Sequence, residues 1–484
     1  MSVAAPPRPP RASRAVPQGA HDAVVNPYPM RYPQASSPTF MGRRAWWLVV
    51  LNFLIPGSAQ ILAGNKRLGR FGLGSTLTLW GLVALIAVFG LLLPQVAFTI
   101  FTNGFTLFIV QVLMLAYGLL WIVLSFDTIR LVRLVRLRNG ARLAVGIVAV
   151  LGMVLSGGGA IAAGTYVATT RDALGSIFGA GAAAVPPSDG YYNILLLGAD
   201  SGEGRDSMRF DSISVVSVNA DSGAVTITGI PRDMPHFPFS EGPMTELYPN
   251  GFEGHSDDTC GWASGINQLM NAVEVCRDGS EIYPDASVLG SSPAIEATKD
   301  AAEGILGIEI PYYVFVDMHG FADLVDALGG VEITVAERLP KGGGPSYEGQ
   351  SAEEWASGWI ETGTQTMDGD TAQWYARSRY TTSDFDRMKR QRELQAAILA
   401  QFTPTTVLTR FQELAAAGTA LIQTDLPQSM LPYFAELAVK SREQPSTNIE
   451  LTPEGGVDEF DPDYAEIRDM IATTLHPPTP TEEP

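Results

Sequence analysis

Residues 212–233 read SISVVSVNADSGAVTITGIPRD. Two runs rich in β-branched residues, Ser212–Val218 and Ala224–Ile230, flank Asn-Ala-Asp-Ser-Gly, the composition of a hairpin turn. With the turn centred near Asp221, antiparallel pairing sets position 211 opposite one close to 232. Asp211 and Arg232 are therefore expected together at the open end of the hairpin. An apolar run before it, Tyr192–Gly198 (YNILLLG), leads to Asp200, eleven residues ahead of Asp211. A loop that short returns to the same end, so Asp200, Asp211 and Arg232 share one sheet edge, with Arg209 beside them. Carboxylate oxygens suit a hard cation such as Mg²⁺, and forked guanidinium groups suit phosphate. Asp and Arg also flank strands as ordinary turn residues and salt bridges, and geometry alone leaves both readings open.

Further along, Phe321, Leu324, Val325 and Leu328 mark one face of a helix that Gly329-Gly330 ends, and VEITV (331–335) resumes a strand. Alternating helix and strand patterns predict an α/β or α+β domain. Ser383-Asp384 opens an amphipathic helix running to about Phe402, with Leu394, Ile398 and Leu399 towards the core. Asp384, Arg387 and Gln391 fall on one face of it, with Arg390 alongside. Arg377 and Arg379, if the backbone is extended there, point the same way. Arginines beside a helix N-terminus suit an anion; the plainer alternative makes Asp384 an N-cap and the arginines a solvated face. Between Met234 and Thr298 little is regular, and the segment reads as an elaborated surface loop with short helices.

The charge is split along the chain. Residues 1–170 hold 14 Lys/Arg against two acids, and residues 171–484 hold 18 against 49. The acidic half has no basic surplus with which to neutralise phosphates, so nucleic acid is not an expected partner. The basic half holds 56 consecutive uncharged residues between Arg70 and Asp127. Within it Ser75–Leu93 and Leu107–Leu124, and later Leu143–Thr170, are each long enough to cross a bilayer. Lys66, Arg67 and Arg70, then Arg130, Arg133, Arg136, Arg138 and Arg142, mark cytoplasmic loops, and an odd number of crossings carries the C-terminal half outside. Trp46–Ala63 has basic residues at both ends and Asn52, Pro56, Gly57 and Gln60 within, so it is expected to be interfacial or re-entrant. The only cysteines, Cys260 and Cys276, lie in the exported half and are expected to form a disulfide.

The ordered blocks NILLLGAD (193–200), RFD (209–211), IPRD (230–233), DALGGV (326–331), ARSR (376–379) and DFDRMKRQ (384–391) resemble the LytR-CpsA-Psr family of cell-wall ligases. The resemblance implies an α/β (α+β) extracellular domain, a central β-sheet sandwiched by helices, after a helical membrane region. It implies a phosphotransferase that moves a glycopolymer from a polyprenyl-pyrophosphate carrier to peptidoglycan, leaving a phosphodiester. By position, Asp200 and Asp211 match Mg²⁺-associated aspartates. Arg209, Arg232, Arg377 and Arg379 match pyrophosphate-binding arginines, with Asp384, Arg387 and Gln391 a second acidic and polar cluster. Arg232, Asp384 and Asp233 are the candidate catalytic residues, Asp384 as proton acceptor and Asp233 as the group orienting Arg232.

The organisation expected is a disordered cytoplasmic tail (1–41), a membrane region of three or four apolar segments (42–170) and a linker (171–189). A catalytic domain (190–403), a helical extension (404–475) and a disordered tail (476–484) follow. Three features depart from the family pattern: several apolar segments where one anchor is usual, no Lys/Asn-rich stretch after Arg232, and the cysteine loop. Two other readings use the same residues, a non-catalytic lipid-pyrophosphate sensor and a pyrophosphatase that passes phosphate to water. Five scattered histidines assemble neither a Ser-His-Asp triad nor a zinc site.

Overall fold

The computed structural model describes residues 28–33, 36–93, 100–178, 184–199, 209–378, 380–401, 410, 422–442 and 444–477. The chain forms two compact units, residues 1–83 with 115–161, and 84–114 with 162–484.

In the N-terminal part, α1 (Pro38–Leu54) and α2 (Ser58–Ala63) precede three long helices, α3 (Lys66–Leu92), α4 (Gly104–Val132) and α5 (Asn139–Ile177). These three are long and apolar enough to cross a membrane, and they fall on the three expected segments. The α5 helix runs seven residues into the stretch expected as linker. The first unit has its own core of Met41, Ala45, Leu48, Ala59, Val132 and Val145. Amide donors inside it find partners on a neighbouring helix: the Asn52 amide donates to Ser125 Oγ at 3.0 Å, and the Gln60 amide donates to Leu124 O at 2.8 Å and Thr128 Oγ1 at 2.9 Å.

The second unit is built on a mixed six-stranded sheet. Its strands are β1 (Tyr191–Ala199), β2 (Phe210–Asn219), β3 (Val225–Ile230), β4 (Tyr312–Asp317), then later β9 (Ile422–Thr424) and β10 (Thr447–Glu450). The order is β9-β4-β1-β2-β3-β10. Strand periodicity sorts the side chains of β1 onto two faces. Leu195, Leu197 and Ala199 join the core under α6 (Pro293–Leu306) and α11 (Tyr464–Leu475), while Tyr192, Ile194 and Leu196 face α10 (Leu431–Ser441). The sheet is thus covered on both sides by helices.

A smaller core lies beside it, made by α7 (Met318–Leu328), β5 (Val331–Val335), β6 (Leu339–Lys341), β7 (Gly358–Ile360), β8 (Gly363–Met367), α8 (Gly369–Arg377) and α9 (Asp384–Gln401). Gly330, at φ 91°, leaves α7 in a conformation that a side chain would strain, and a Cβ there would meet Met367 O. The boundary expected at 403 does not hold. Strands β9 and β10, from the stretch read as a helical extension, pair with β4 and β3 and complete the sheet. Edge strands of three and four residues are too short to show a period. In the loop-rich segment, Cys260 and Cys276 are bonded, with Cα atoms 5.8 Å apart.

Candidate active site

The hairpin register places the first half of the site. Ile213 pairs with Ile230, so continuing the ladder by two residues sets Asp211 opposite Arg232. Arg232 Nη1 donates to Asp211 Oδ1 at 2.5 Å, Nε donates to Asp233 Oδ2 at 3.3 Å, and Nη2 lies 3.9 Å from Asp384 Oδ1. One guanidinium thus meets three carboxylates. Burial works against its charge, but Asp211, and then Asp233 and Asp384, outweigh that effect and raise its pKa. Asp233 is held in turn: Asn267 Nδ2 donates to its Oδ1 at 3.0 Å, and the Asn267 backbone N–H donates to Arg232 O, also at 3.0 Å. Arg209 stands exposed just before β2. Asp200 and Arg379 lie outside the described residues.

The α9 helix supplies the second half, and its cap decides what Asp384 is available for. Ser383 Oγ accepts from the Asp386 N–H at 3.1 Å, while Asp386 Oδ2 accepts from the Ser383 N–H at 2.8 Å. That reciprocal arrangement satisfies the helix start through Asp386. The Asp384 carboxylate is left to the arginines: Arg387 Nη2 donates to Asp384 Oδ2 at 2.9 Å. The plainer reading of Asp384 as the N-cap is therefore excluded.

Arg390 is structural. It is buried and donates to the carbonyls of Tyr375 (3.1 Å) and Ser378 at the end of α8, and to Thr382 Oγ1 (3.2 Å). Helix ends need such partners for their last carbonyls. Gln391 Nε2 donates to Ala376 O at 3.3 Å, tying α9 to the same place. Arg377 does not lie in extended backbone. It closes α8, with its guanidinium 5.5 Å from the Trp374 ring centroid, so strand alternation does not set its direction. The structure therefore gathers Asp211, Arg232, Asp233, Asp384 and Arg387, and sets Gln391 and Arg377 at the α8 C-terminus.

Sequence reasoning passed over two parts of this neighbourhood. Asn267 sits in the irregular 234–298 segment, where no periodic pattern points to it. Arg392 is 1% exposed and lies beside Gly229 of β3, where a Cβ would collide with Arg392 Nη1. Glu450, the register partner of Gly229 on β10, is its electrostatic neighbour. Burial lowers the Arg392 pKa against the pull of Glu450, and burial likewise raises that of Glu450. A signal for Arg392 did exist: it follows the buried Met388 by four residues and so shares its face.

The chain is similar to several known proteins. Biofilm regulatory protein A of Streptococcus mutans serotype c is 27% identical over 241 residues, 49% of this chain and 50% of that protein. A protein of Halalkalibacterium halodurans named polyisoprenyl-teichoic acid–peptidoglycan teichoic acid transferase TagU is 29% identical over 237 residues, 49% of this chain and 61% of that protein. The chain thus spans between half and about three-fifths of the length of these curated relatives. A crystal structure of B. subtilis TagV aligns at 19% identity and a TM-score of 0.39, covering 59% of this chain and 97% of that one. The LytR_cpsA_psr family model matches residues 170–237 and 283–468, more than half of the chain, and the protein belongs to that family.

Proposed function

We propose that the protein is a membrane-anchored phosphotransferase that moves a glycopolymer from a polyprenyl-pyrophosphate carrier onto peptidoglycan. The observation that carries this reading is the Arg232 cluster: a pre-aimed guanidinium, ringed by carboxylates, at the open end of a rigid hairpin. The names of the relatives support the substrate class. The three long apolar helices, the basic residues at the start of α3 and between α4 and α5, and the disulfide support a multi-pass anchor with the C-terminal domain outside.

On this reading the pyrophosphate lies against Arg232 and Arg387; Arg209, Arg377 and Arg379, matched by position to the family's pyrophosphate-binding arginines, are further candidate contacts, with Gln391 as a polar one. The acceptor hydroxyl attacks the phosphorus that carries the glycan. The bond from that phosphorus to the bridging oxygen breaks, polyprenyl phosphate leaves, and a phosphodiester remains. Asp384 takes the hydroxyl proton, 3.9 Å from the guanidinium that supports the leaving phosphate. Asp233 holds Arg232 in orientation. The donor set suits Mg²⁺: Asp211 offers hard oxygens beside Arg232, and this ion takes one or two carboxylates with water and phosphate oxygens. Among the described residues no group of three or more His, Cys, Asp or Glu side chains that could hold a metal ion is present. Asp211 with Asp200 would hold it, and it would supply charge neutralisation at the pyrophosphate.

The test uses the full chain in detergent with a short-chain polyprenyl-pyrophosphate glycan, peptidoglycan fragments and Mg²⁺. Glycan joined to peptidoglycan, and lost in Arg232→Ala and Asp211→Ala, is the expected result. Released phosphate without ligation would make the protein a pyrophosphatase, and tight lipid binding without turnover would make it a sensor.

A further inference from the structure

A cavity of about 430 Å³ opens beside the connection between α8 and α9, a volume in the range of small-molecule sites. Its walls include Trp355, Trp359 and Tyr380, with Arg338, Gln350 and Glu353 among them. The aromatic groups are fixed in place. The Trp355 and Tyr380 rings meet edge to face at 4.9 Å, and Tyr380 Oη donates to Gly343 O at 2.8 Å. Arg338 lies 3.8 Å from the Trp359 ring centroid, and its Nε donates to Glu361 at 3.0 Å. The loop that closes the cavity is also tied: Gln350 Oε1 accepts from the Ser346 N–H at 2.7 Å.

Rigid aromatic planes next to an amide, a carboxylate and a guanidinium match one kind of ligand well. A pyranose ring has an apolar face of C–H groups, which lies on an aromatic surface, and a rim of hydroxyls that both donate and accept. The wall is too polar for a lipid tail, and Glu353 with Glu361 disfavours a pyrophosphate. Position agrees with chemistry. Thr381, which also lines the cavity, is three residues from Asp384, so their Cα atoms are at most about 11 Å apart.

We propose that this cavity is a saccharide subsite that holds one pyranose unit next to the phosphate-binding cluster, a proposal that builds on the transferase reading above. The sugar comes either from the donor glycopolymer or from the peptidoglycan acceptor, and the experiment separates these two. Binding to the full chain in detergent is measured for an N-acetylglucosamine–N-acetylmuramic acid disaccharide, for geranylgeranyl pyrophosphate, and for the same lipid carrying one N-acetylglucosamine. Trp355→Ala and Glu353→Gln are compared with the unaltered chain; the second changes an exposed side chain and serves if the first fails to fold.

The expected result is at least a tenfold loss in a sugar-dependent affinity, with geranylgeranyl pyrophosphate binding unchanged within twofold. Loss confined to the disaccharide assigns the acceptor side, and loss confined to the glycosylated lipid assigns the donor side. Unchanged sugar affinities in Glu353→Gln and in a folded Trp355→Ala, or equal weakening of the unglycosylated lipid, would overturn the proposal. The two readings fail separately. Sugar binding that depends on Glu353 in a protein without transferase activity keeps the subsite and removes the transferase, whereas ligation at the unaltered rate with unaltered sugar affinity does the reverse.

Discussion

Two charged clusters in the same domain share a composition and differ in what remains open to water. In the interior, Lys299 of α6 lies 3.0 Å from Glu296 and 3.0 Å from Asp425, and Asp425 also accepts from the Tyr313 N–H at 2.8 Å. Burial alone would lower the Lys299 pKa, but Asp425 and Glu296 outweigh it and raise it. Every member is closed over by the core, so no ligand can compete for the ammonium. At the sheet edge Arg232 meets three carboxylates against the two of Lys299, and there the Asp384 side chain is 39% exposed and that of Asp211 35%. A phosphate can approach there and exchange for those contacts. The first cluster joins α6 to the segment after β9; the second is a charged surface poised to change partners.

That contrast is broken most severely at Arg232. Arg232→Lys keeps the charge but loses the fork, and a lysine cannot serve Asp211, Asp233 and a phosphate in one plane. Ligation is expected to fall about a thousandfold, or about 4 kcal/mol of transition-state support. The thermal midpoint should move little, because the cluster is partly solvated. A midpoint that collapses along with activity would make Arg232 a structural residue like Lys299.

The converse substitution is Lys299→Met. It leaves Asp425 and Glu296 buried without their cation and is expected to cost about 3 kcal/mol of stability. A folded Lys299→Met protein should still bind the lipid pyrophosphate with its usual affinity, measured on the fraction that is folded. A loss of lipid affinity without a loss of stability would reverse the assignment of the two clusters.

How much of this was legible in sequence follows from range. The hairpin, with its short turn and β-branched flanks, announced the Asp211–Arg232 encounter, since local pairing fixes both positions. The helix from Asp384 and the strand at Val331–Val335 were equally local. What distant chain segments decide was not readable. The β9 and β10 strands take their place from the sheet they join, and Asn267 reaches Asp233 from a segment without periodicity. The Ser383–Asp386 capping pair was legible in principle, since a Ser followed three residues later by an acid is its signature. In the plainer alternative read from the sequence, Asp384, the nearer carboxylate, is the cap.

Arg392 and Glu450 form an intermediate case, interior like Lys299 but without its closed contacts. Among the described residues, the buried Nε and Nη1 of Arg392 and both carboxylate oxygens of Glu450 have no hydrogen-bond partner. Such a pair gains little over apolar packing. Arg392→Met with Glu450→Leu together should therefore be neutral or stabilising by about 1 kcal/mol, whereas either change alone should destabilise. Denaturation of the two single variants and the double variant measures the coupling. If the double variant is the least stable of the three, the pair belongs with Lys299 after all.

The smallest expected effect concerns Asp300, a largely buried acid near Lys299 that holds its proton more tightly than an exposed carboxyl does. Asp300 accepts from Tyr283 Oη at 2.5 Å and is pushed up to about 6, mainly by burial, with Glu303 and Glu296 adding to the rise and Lys299 and the Tyr283 hydrogen bond opposing it. A carboxyl whose folded pKa exceeds its unfolded value binds its proton more tightly in the native state. Its contribution is therefore fully present below about pH 4 and is lost as pH rises towards 6. Asp300→Asn removes that loss by keeping a neutral group of the same shape. Discounted for partial exposure, the variant should gain about 1 kcal/mol over the unaltered chain above pH 6 and little at pH 4. Thermal midpoints measured at both pH values give the comparison. Parallel pH profiles would mean that Asp300 stays ionised in the fold and draws its compensation from Lys299, which would merge this site with the interior ion cluster.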